Sequence, residues 1–598
     1  MGKDKKRRKI DQFSHLSNLT GIDGVGQSSS TMLDDCLAEF QQPQEQEKVG
    51  GSGDLQISQP VPSKNQSKNT DRPSWIRQNS CMGPDEIDVW NQAFLSWSSG
   101  RFHASGGGNY PYPPGLLPNI DEELARNFKI KELSSLFLKR FPKKDLRMPV
   151  FERWLLDSKL EEDRQTSPDG KRSTSSIVSD PILPIRSSPK SDASQRLLEE
   201  LVETNQKHNK PNERIQRKDA EDIIAELCRK TNLSCQELLS QRDRYRRQSP
   251  LNKGDRIQIE EVDDQERGNK DFVTILYSRK KWKKPFCFKL NRKNYDSLKG
   301  RFAEIHDNPS QVESSVSVSS WPPLSLCDNR HSQSSIVEQS FHVIILALLL
   351  RYSALSGGQL LEDLRGGGMQ GAIHSDIFDV LKNSFGGLWL EGFASPFNAT
   401  LPRFASAFPD LDWHFGAVGS FFDCHFGGTS NNETQDTAEY CEANPPFSVG
   451  IIEAMAEHMF AALSQAEKNH RKLSFAVVVP SGVDRTKTIQ RSQGSSSTEF
   501  MNEAIVKRQA QQSFELMVSS RYCTKHIRLK AREHGYVEGS QHLRPTMYKT
   551  SSYDTSVIIL QTSKAKSTSV ETNQLEGDIR RAFVSRHESE LRKRKAAA

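Results

Sequence analysis

The sequence predicts an α/β protein in which a helical domain precedes a doubly wound domain with parallel strands, between disordered termini. Three observations carry this. Over residues 336–563 short apolar runs (Leu388 to Phe393, Phe475 to Val479, Val557 to Leu560) alternate with helical patterns such as Ile451 to Leu463, as strands joined by crossover helices do. Over 117–250 the apolar residues recur at helical spacing. The chain has 598 residues but is only 35% hydrophobic, low for a chain folded throughout.

Taken in order, residues 1–70 are rich in Ser, Gln, Gly and Lys and predict disorder. Helical periodicity starts near Ile120, where Asp121, Glu122 and Glu123 supply a first acidic turn and Leu124, Phe128, Ile130, Leu133 and Leu136 follow. A short helix is expected at Val150 to Leu156, then a mobile loop over 163–192. Helix resumes with Leu197, Leu198, Leu201 and Val202, then Ile223, Ile224 and Leu227. A break is expected at Thr231-Asn232, with Ser234 capping a further helix. Residues 270–308 form a basic strand segment joining the domains, with strands at Phe272 to Tyr277 and Pro285 to Leu290. A Ser-rich spacer, 309–335, leads into the α/β domain at 336–563, and 564–598 read as a charged tail with at most one frayed helix.

Composition narrows the function. The longest apolar run, Val343 to Leu350, is far short of the roughly 20 residues that cross a bilayer. Met1-Gly2 leads into Lys3, Lys5, Lys6, Arg7, Arg8 and Lys9 with no apolar stretch behind, so no signal peptide is expected. The nine cysteines include no C-x-x-C pair, which argues for a reducing compartment and against a zinc ribbon or disulfide framework. The net charge of +6 is concentrated at the N-terminus, at Arg592 to Lys595, and between Arg279 and Arg301. Terminal clusters of this kind read as nuclear localisation signals or loose polyanion tethers. The central band holds Lys280, Lys281, Lys283, Lys284, Lys289 and Arg292.

The motif with the most chemistry is Asn444-Pro445-Pro446-Phe447, directly ahead of a helical pattern. Asn-Pro-Pro-aromatic at the end of a strand is a signature of methyl transfer from S-adenosylmethionine to an amino group. An exocyclic amine on adenine is a poor nucleophile because its lone pair is delocalised into the ring. The Asn444 amide oxygen and the Pro445 carbonyl can each accept one N–H, drawing that nitrogen towards sp³ geometry. The prolines fix φ and hold that carbonyl rigidly, and Phe447 offers a ring for the base to stack on, so catalysis is mostly positioning.

A second element lies upstream. Gly387 to Asn398 reads as strand, tight turn, then helix, where the small residues Gly392, Ala394 and Ser395 let backbone approach a methionine moiety and Glu391 meets its ammonium. Asp410 or Asp412 follows at about the distance where such folds place an acid on ribose hydroxyls. Gly366-Gly367-Gly368-Met369-Gln370-Gly371 formally satisfies G-x-G-x-x-G but follows a helical pattern, and is read as a turn. Cys523-x-x-His526 is half a metal pair, and Cys424-His425 shows no nucleophile–base pattern; no metal site is assigned.

At these residues the chain resembles the phosphorylated CTD-interacting factor family of cap-specific adenosine-N6 methyltransferases. The resemblance runs through Phe288-Lys289-Leu290-Asn291, Leu348 to Tyr352, Phe393-Ala394-Ser395-Pro396 with Asn398, Ser406 to Asp410 with Asp412, Glu442 to Phe447, and Gly539 to His542. It covers about 270–562 well and 117–250 more loosely, with Phe151 to Leu156 the best local match there. It implies a Rossmann-like S-adenosylmethionine-dependent methyltransferase domain packed on the helical domain. The implied reaction methylates N6 of the 2′-O-methyladenosine next to the cap of mRNA in the nucleus. The implied catalytic residues are Asn444, Pro445, Pro446 and Phe447, with Glu391, Phe393, Ala394, Ser395, Pro396, Asn398, Asp410 and Asp412 around the cofactor. Animal members carry an N-terminal WW domain that reads the phosphorylated C-terminal domain of RNA polymerase II. Here Trp75 and Trp97 have WW-like separation without the intervening aromatic pair, and no WW domain is assigned. Two further departures flank the pocket: Ser448-Val449-Gly450 stands where acids usually follow the tetrapeptide, and Pro480-Ser481-Gly482 where Pro-Glu-Trp is usual. The rival readings are an adenine-N6 methyltransferase acting on DNA or uncapped RNA, and a catalytically silent RNA-binding protein.

Overall fold

A computed structural model describes residues 117–141, 150–165, 180–208, 216–248, 250–252, 254–264, 269–280, 282–306, 333–358, 370–386, 389–424, 426, 439–481, 504–541, 547–567 and 572–597. The predicted disorder at 1–70, the tryptophans between 75 and 97, and Gly366 to Met369 lie outside these residues. The chain divides into two compact units. The smaller includes, among the described residues, 254–258 and 276–287, and the larger holds nearly everything else.

In the larger unit, the helical segment contains α1 (Ile120–Arg140), α2 (Val150–Gln165), α3 (Asp192–His208) and α4 (Arg217–Arg247). Helix α1 starts where Asn119 Oδ1 accepts the N–H groups of Asp121 and Glu122, at 3.0 and 3.2 Å, with acids in the first turn and Lys139 and Arg140 in the last. The predicted break at Thr231-Asn232 is absent: α4 runs through it. Asn232 spends its amide on Ser187, accepting its N–H at 2.7 Å and donating to its carbonyl at 3.0 Å, so it no longer competes with the helix. The predicted mobile loop is also in part ordered. Helix α2 continues to Gln165, and Asp180 is fully buried, accepting the N–H groups of Ile182 and Leu183.

Strands β1 (Arg256–Asp264), β2 (Asn269–Ser278) and β3 (Phe286–Asn291) make a three-stranded sheet, and α5 (Arg292–His306) follows. The apolar run Val343 to Leu350 lies in α6 (Gln333–Leu355), where every residue of the run is buried; it is a core helix, hydrophobic all round. Among the described residues no helix is long and apolar enough to cross a membrane.

The remaining elements are β4 (Gly371–Ala372), α7 (Ser375–Phe385), β5 (Trp389–Ala394), β6 (Phe404–Ser406), β7 (Tyr440–Ala443), α8 (Val449–Lys468), β8 (Ser474–Pro480), α9 (Ala504–Ser519), β9 (Cys523–Leu529), β10 (Gly535–Glu538), β11 (Tyr548–Thr550), β12 (Thr555–Gln561) and α10 (Thr572–Ala597). The main sheet has the order β6-β5-β7-β8-β12-β9. Its first four strands are parallel, as predicted, but β12 runs antiparallel to both neighbours, so the sheet is mixed. Strand alternation sorts side chains to two faces. Leu390, Cys441, Phe475, Val477 and Ile558 pack with Ile452, Met455 and Met459 of α8 and Met517 of α9 on one face. Trp389, Tyr440, Ala476 and Val557 pack with Phe378 of α7 and with α10 on the other. The predicted charged tail is therefore a core helix: Leu575, Ile579 and Phe583 are buried at roughly one-turn spacing. A periodic stripe of three, diluted by charge, is too sparse to stand out in a sequence.

Candidate active site

The C-terminal ends of β5, β6 and β7 open into a cleft of ≈ 180 Å³. The turn after β5 and residues 406–408 after β6 line one side, Asn444 and Pro446 after β7 another, and Leu156, Lys159, Leu160 and Asp163 of α2 a third. In open sheets of parallel strands this edge is where ligands bind.

Asn444 is buried, and its Nδ2 donates to the Gly371 carbonyl of β4 at 3.1 Å. That bond fixes the amide's orientation and leaves Oδ1 with no hydrogen-bond partner among the described residues. A buried acceptor left open costs stability, and this one belongs to a residue that lines the cleft. Pro445 is buried, and the Pro446 carbonyl accepts the Ser448 N–H at 2.7 Å as the chain turns into α8. Phe447 is half-buried and does not line the cleft. Its ring meets Tyr536 and Tyr553 edge-on, with centroids at 5.9 and 5.4 Å.

The turn after β5 is built from its own side chains. Asn398 Oδ1 accepts the Ser395 N–H at 2.7 Å and its hydroxyl at 2.9 Å, while Asn398 Nδ2 donates to the Gln370 carbonyl at 2.6 Å. Gly392 has no room for a side chain: a Cβ there would sit 2.6 Å from the Glu442 carbonyl oxygen. Phe393, Ala394, Ser395 and Asn398 line the cleft; Pro396 is buried outside it.

Three predicted cofactor acids are placed elsewhere. Glu391 is buried but does not line the cleft; its Oε2 accepts the N–H groups of Thr400 and Leu401 at 2.8 and 2.9 Å. Asp410 pairs with Arg351 at 3.2 Å in a buried network. Asp412 accepts the Tyr352 hydroxyl at 2.6 Å, and burial pushes its carboxyl up to about 8. Neither aspartate lines the cleft. A sequence shows an acid at the right spacing but not that a buried cation claims it.

Glu391 lies opposite Glu442 in the β5–β7 register. Burial pushes Glu391 up to about 7 against the pull of the two backbone N–H groups and Arg301, and burial next to Glu391 raises Glu442 well above the usual carboxylate range. A folded-state pKa raised from about 4.5 adds stability that is full below that value and disappears as pH rises through about 7. Glu391→Gln keeps an acceptor for the two amides but cannot ionise. Urea unfolding at pH 5.5 and 8 should show the wild-type loss of stability reduced in this variant by up to about 2 kcal/mol; equal losses in both proteins would refute the assignment.

Sequence reasoning missed Gln370. It lines the cleft, is largely buried, and its Oε1 has no partner among the described residues. The same oxygen lies 3.0 Å, and Ser395 Oγ 3.2 Å, from where a Cβ on Gly539 would stand. Its one sequence signal, a place within the formal G-x-G-x-x-G, was attributed to a turn. Lys159 and Asp163 were also missed. They are the cleft's charged lining residues among those described, and they pair with each other at 2.5 Å. Lys280, Lys283, Lys284 and Lys289 are exposed and Arg292 is half-buried, while Lys281 lies outside the described residues. In the smaller unit, Arg279 stacks over Trp282 at 4.9 Å beside the basic strip. Cys523 and His526 bond separately, to the Lys525 carbonyl and the Ser556 hydroxyl.

Residues 325–515 match the family model described as phosphorylated CTD interacting factor 1 WW domain. Over these residues the chain is similar to the phosphorylated CTD interacting factor family. The matched segment holds the four parallel strands and the Asn444–Phe447 tetrapeptide. The chain is also similar to the proteins named mRNA (2′-O-methyladenosine-N(6)-)-methyltransferase of Homo sapiens and Mus musculus. Each is 31% identical over 219 residues, 36% of this chain. The match spans 25% of the length of these curated relatives.

Proposed function

We propose that this protein is a nuclear S-adenosylmethionine-dependent methyltransferase that methylates N6 of the cap-adjacent 2′-O-methyladenosine of capped mRNA. The domain is Rossmann-like, with the antiparallel β12 inserted next to the sheet's edge strand, and it packs on the N-terminal helical domain. The observation that carries the reading is Asn444, a cleft-lining residue whose amide is anchored through nitrogen and whose buried oxygen is left without a partner among the described residues. An acceptor held in place before the substrate arrives needs no reorganisation during reaction.

The cleft's residues fit the cofactor. Gly392 allows close backbone approach, the Ser395–Asn398 turn is rigid, and Gln370 Oε1 offers an ammonium the acceptor that Glu391 does not. When bound, S-adenosylmethionine supplies an electrophilic methyl group on a sulfonium. The chain's own residues then hold the amine: Asn444 Oδ1 accepts one N6–H, the Pro445 carbonyl accepts the other, and Phe447, held by Tyr536 and Tyr553, is half-exposed for stacking. The adenine must be unstacked from its neighbours to enter. Lys280, Lys281, Lys283, Lys284, Lys289 and Arg292 supply sequence-independent attraction for the RNA backbone and cap phosphates. The relatives' names support mRNA carrying 2′-O-methyladenosine as substrate, and the description of the matching family model supports a phosphorylated CTD as a partner.

The test is methyl transfer from labelled S-adenosylmethionine to RNA beginning with a capped 2′-O-methyladenosine, followed by nucleoside analysis. N6-methylated product should form on capped RNA faster than on the uncapped equivalent or on DNA. Equal rates would remove cap specificity, and no transfer to any of them would remove the enzymatic reading.

A further inference from the structure

The departure after the tetrapeptide has a structural counterpart. Helix α8 begins directly behind it with Ser448 as N-cap, but Ser448 makes no side-chain cap bond. Its hydroxyl instead donates to Asp157 Oδ1, and the Gly450 N–H donates to the same carboxylate. Asp157 belongs to α2, nearly three hundred residues away in sequence, and is itself buried. Arg196 of α3 lies 3.6 Å from its other oxygen and also pairs with Glu161 and Glu453. Gly450 is required by this arrangement, because a Cβ there would stand 2.9 Å from Asp157 Cγ and 2.9 Å from Arg196 Nη2. A carboxylate at a helix N-terminus satisfies open N–H groups and meets the positive end of the helix dipole. Here the acid comes from another segment and occupies the space that an acid on α8 itself would fill.

We infer that Asp157 is a positioning residue for the Asn444–Phe447 tetrapeptide, acting through the N-terminus of α8. The tetrapeptide is thereby held at both ends: by Asn444 Nδ2 on Gly371 in front and by Ser448 on Asp157 behind. The neighbours of Asp157 on α2, Leu156, Lys159 and Leu160, line the cleft. The same helix therefore supplies a cleft wall and sets the position of the acceptors facing it. Asp157 itself does not line the cleft. Its catalytic consequence rests on the methyltransferase reading, whereas its mechanical consequence does not.

The test uses the full chain with Asp157→Ala, Asp157→Asn, and Asp157→Ala combined with Gly450→Asp. A misplacement of about 1 Å can cost about 10²-fold in rate. The alanine variant should therefore lose about 10²-fold in kcat, with S-adenosylmethionine affinity by calorimetry within about threefold of wild type. Asparagine, which keeps an acceptor but not the charge facing Arg196, should fall between. The double variant restores an acid to the vacated space and should recover about tenfold in kcat. Amide hydrogen exchange at Ser448 to Ile452 reads the same contact without activity, and should speed up in the alanine variant and slow again in the double variant. Wild-type exchange there in the alanine variant overturns the inference. So does a kcat within threefold of wild type in that variant or, should it fail to fold, in Asp157→Asn. If the wild-type protein methylates nothing while exchange responds as expected, the functional reading fails and the positional role of Asp157 stands.

Discussion

Asn444→Ala should lower turnover by about 10²-fold or more, the scale on which a single preorganised polar contact acts in a transition state. The substitution removes an amide oxygen that, like that of Gln370, is buried on a cleft-lining residue without a partner among the described residues, and it breaks the tie to Gly371. Affinity for capped RNA should change little, because most of it comes from phosphate contacts. Single-turnover methyl transfer together with RNA binding at two salt concentrations separates the two effects. Asn444→Asp is informative alongside it: an acceptor remains, but the donor to Gly371 is gone and a buried charge appears, so the rate should stay low. Retained turnover in the alanine variant would take the catalytic role away from this residue.

Arg351→Met should destabilise the protein by about 3–5 kcal/mol, the usual cost of removing one partner from a buried ionic network. Arg351 is fully buried and pairs with Glu123 at 2.6 Å and with Asp410 at 3.2 Å. Glu123 in turn holds Arg126 at 2.5 Å, and Arg126 holds Asp180 at 2.8 Å. The network thus joins helix α1 and residue 180 to helix α6 and residue 410. Removing the guanidinium raises the folded-state pKa of Asp410, already raised by burial, and of Glu123, which Arg126 and Arg351 now hold low. A raised carboxyl pKa means stability lost as pH increases, so the deficit should be larger at pH 8 than at pH 5.5. Thermal or urea unfolding at both values checks this. A deficit below about 1 kcal/mol that does not vary with pH would show that the network is dispensable.

These two residues illustrate what a sequence discloses. The Asn444 tetrapeptide stood out in the sequence as four consecutive residues of unusual type at the junction of a strand and a helix, and the structure puts Asn444 and Pro446 in the lining of the cleft. Strand β8 and helix α8 were legible from the runs Phe475 to Val479 and Ile451 to Leu463, whereas Tyr440–Ala443 of β7 carries no such run. Arg351 and Asp410 were not legible as partners, since nothing in a linear pattern says which of many cations meets which acid. The same limit misplaced Glu391, Asp410 and Asp412: spacing put them near the cofactor, whereas packing turned one onto backbone amides and tied the other two to Arg351 and Tyr352. Helix α10 and the unbroken α4 were missed for a related reason, because long-range burial and the Asn232–Ser187 bonds overrule local propensity.

By itself, the sequence determined that the chain alternates strands and helices over 336–563 and that an amide followed by two prolines and a ring stands behind one strand. Both are properties of neighbouring residues, fixed by backbone sterics and side-chain periodicity. Only the tertiary structure decided which polar groups face the cleft and which are consumed elsewhere. Each buried donor, acceptor or charge must find a partner, and those partners come from anywhere in the chain. Gly371 takes the Asn444 amide nitrogen, Thr400 and Leu401 take Glu391, and Asp157 takes the end of α8. Asn444 Oδ1 and Gln370 Oε1 are two of the buried acceptors without a partner among the described residues, and both belong to residues that line the cleft.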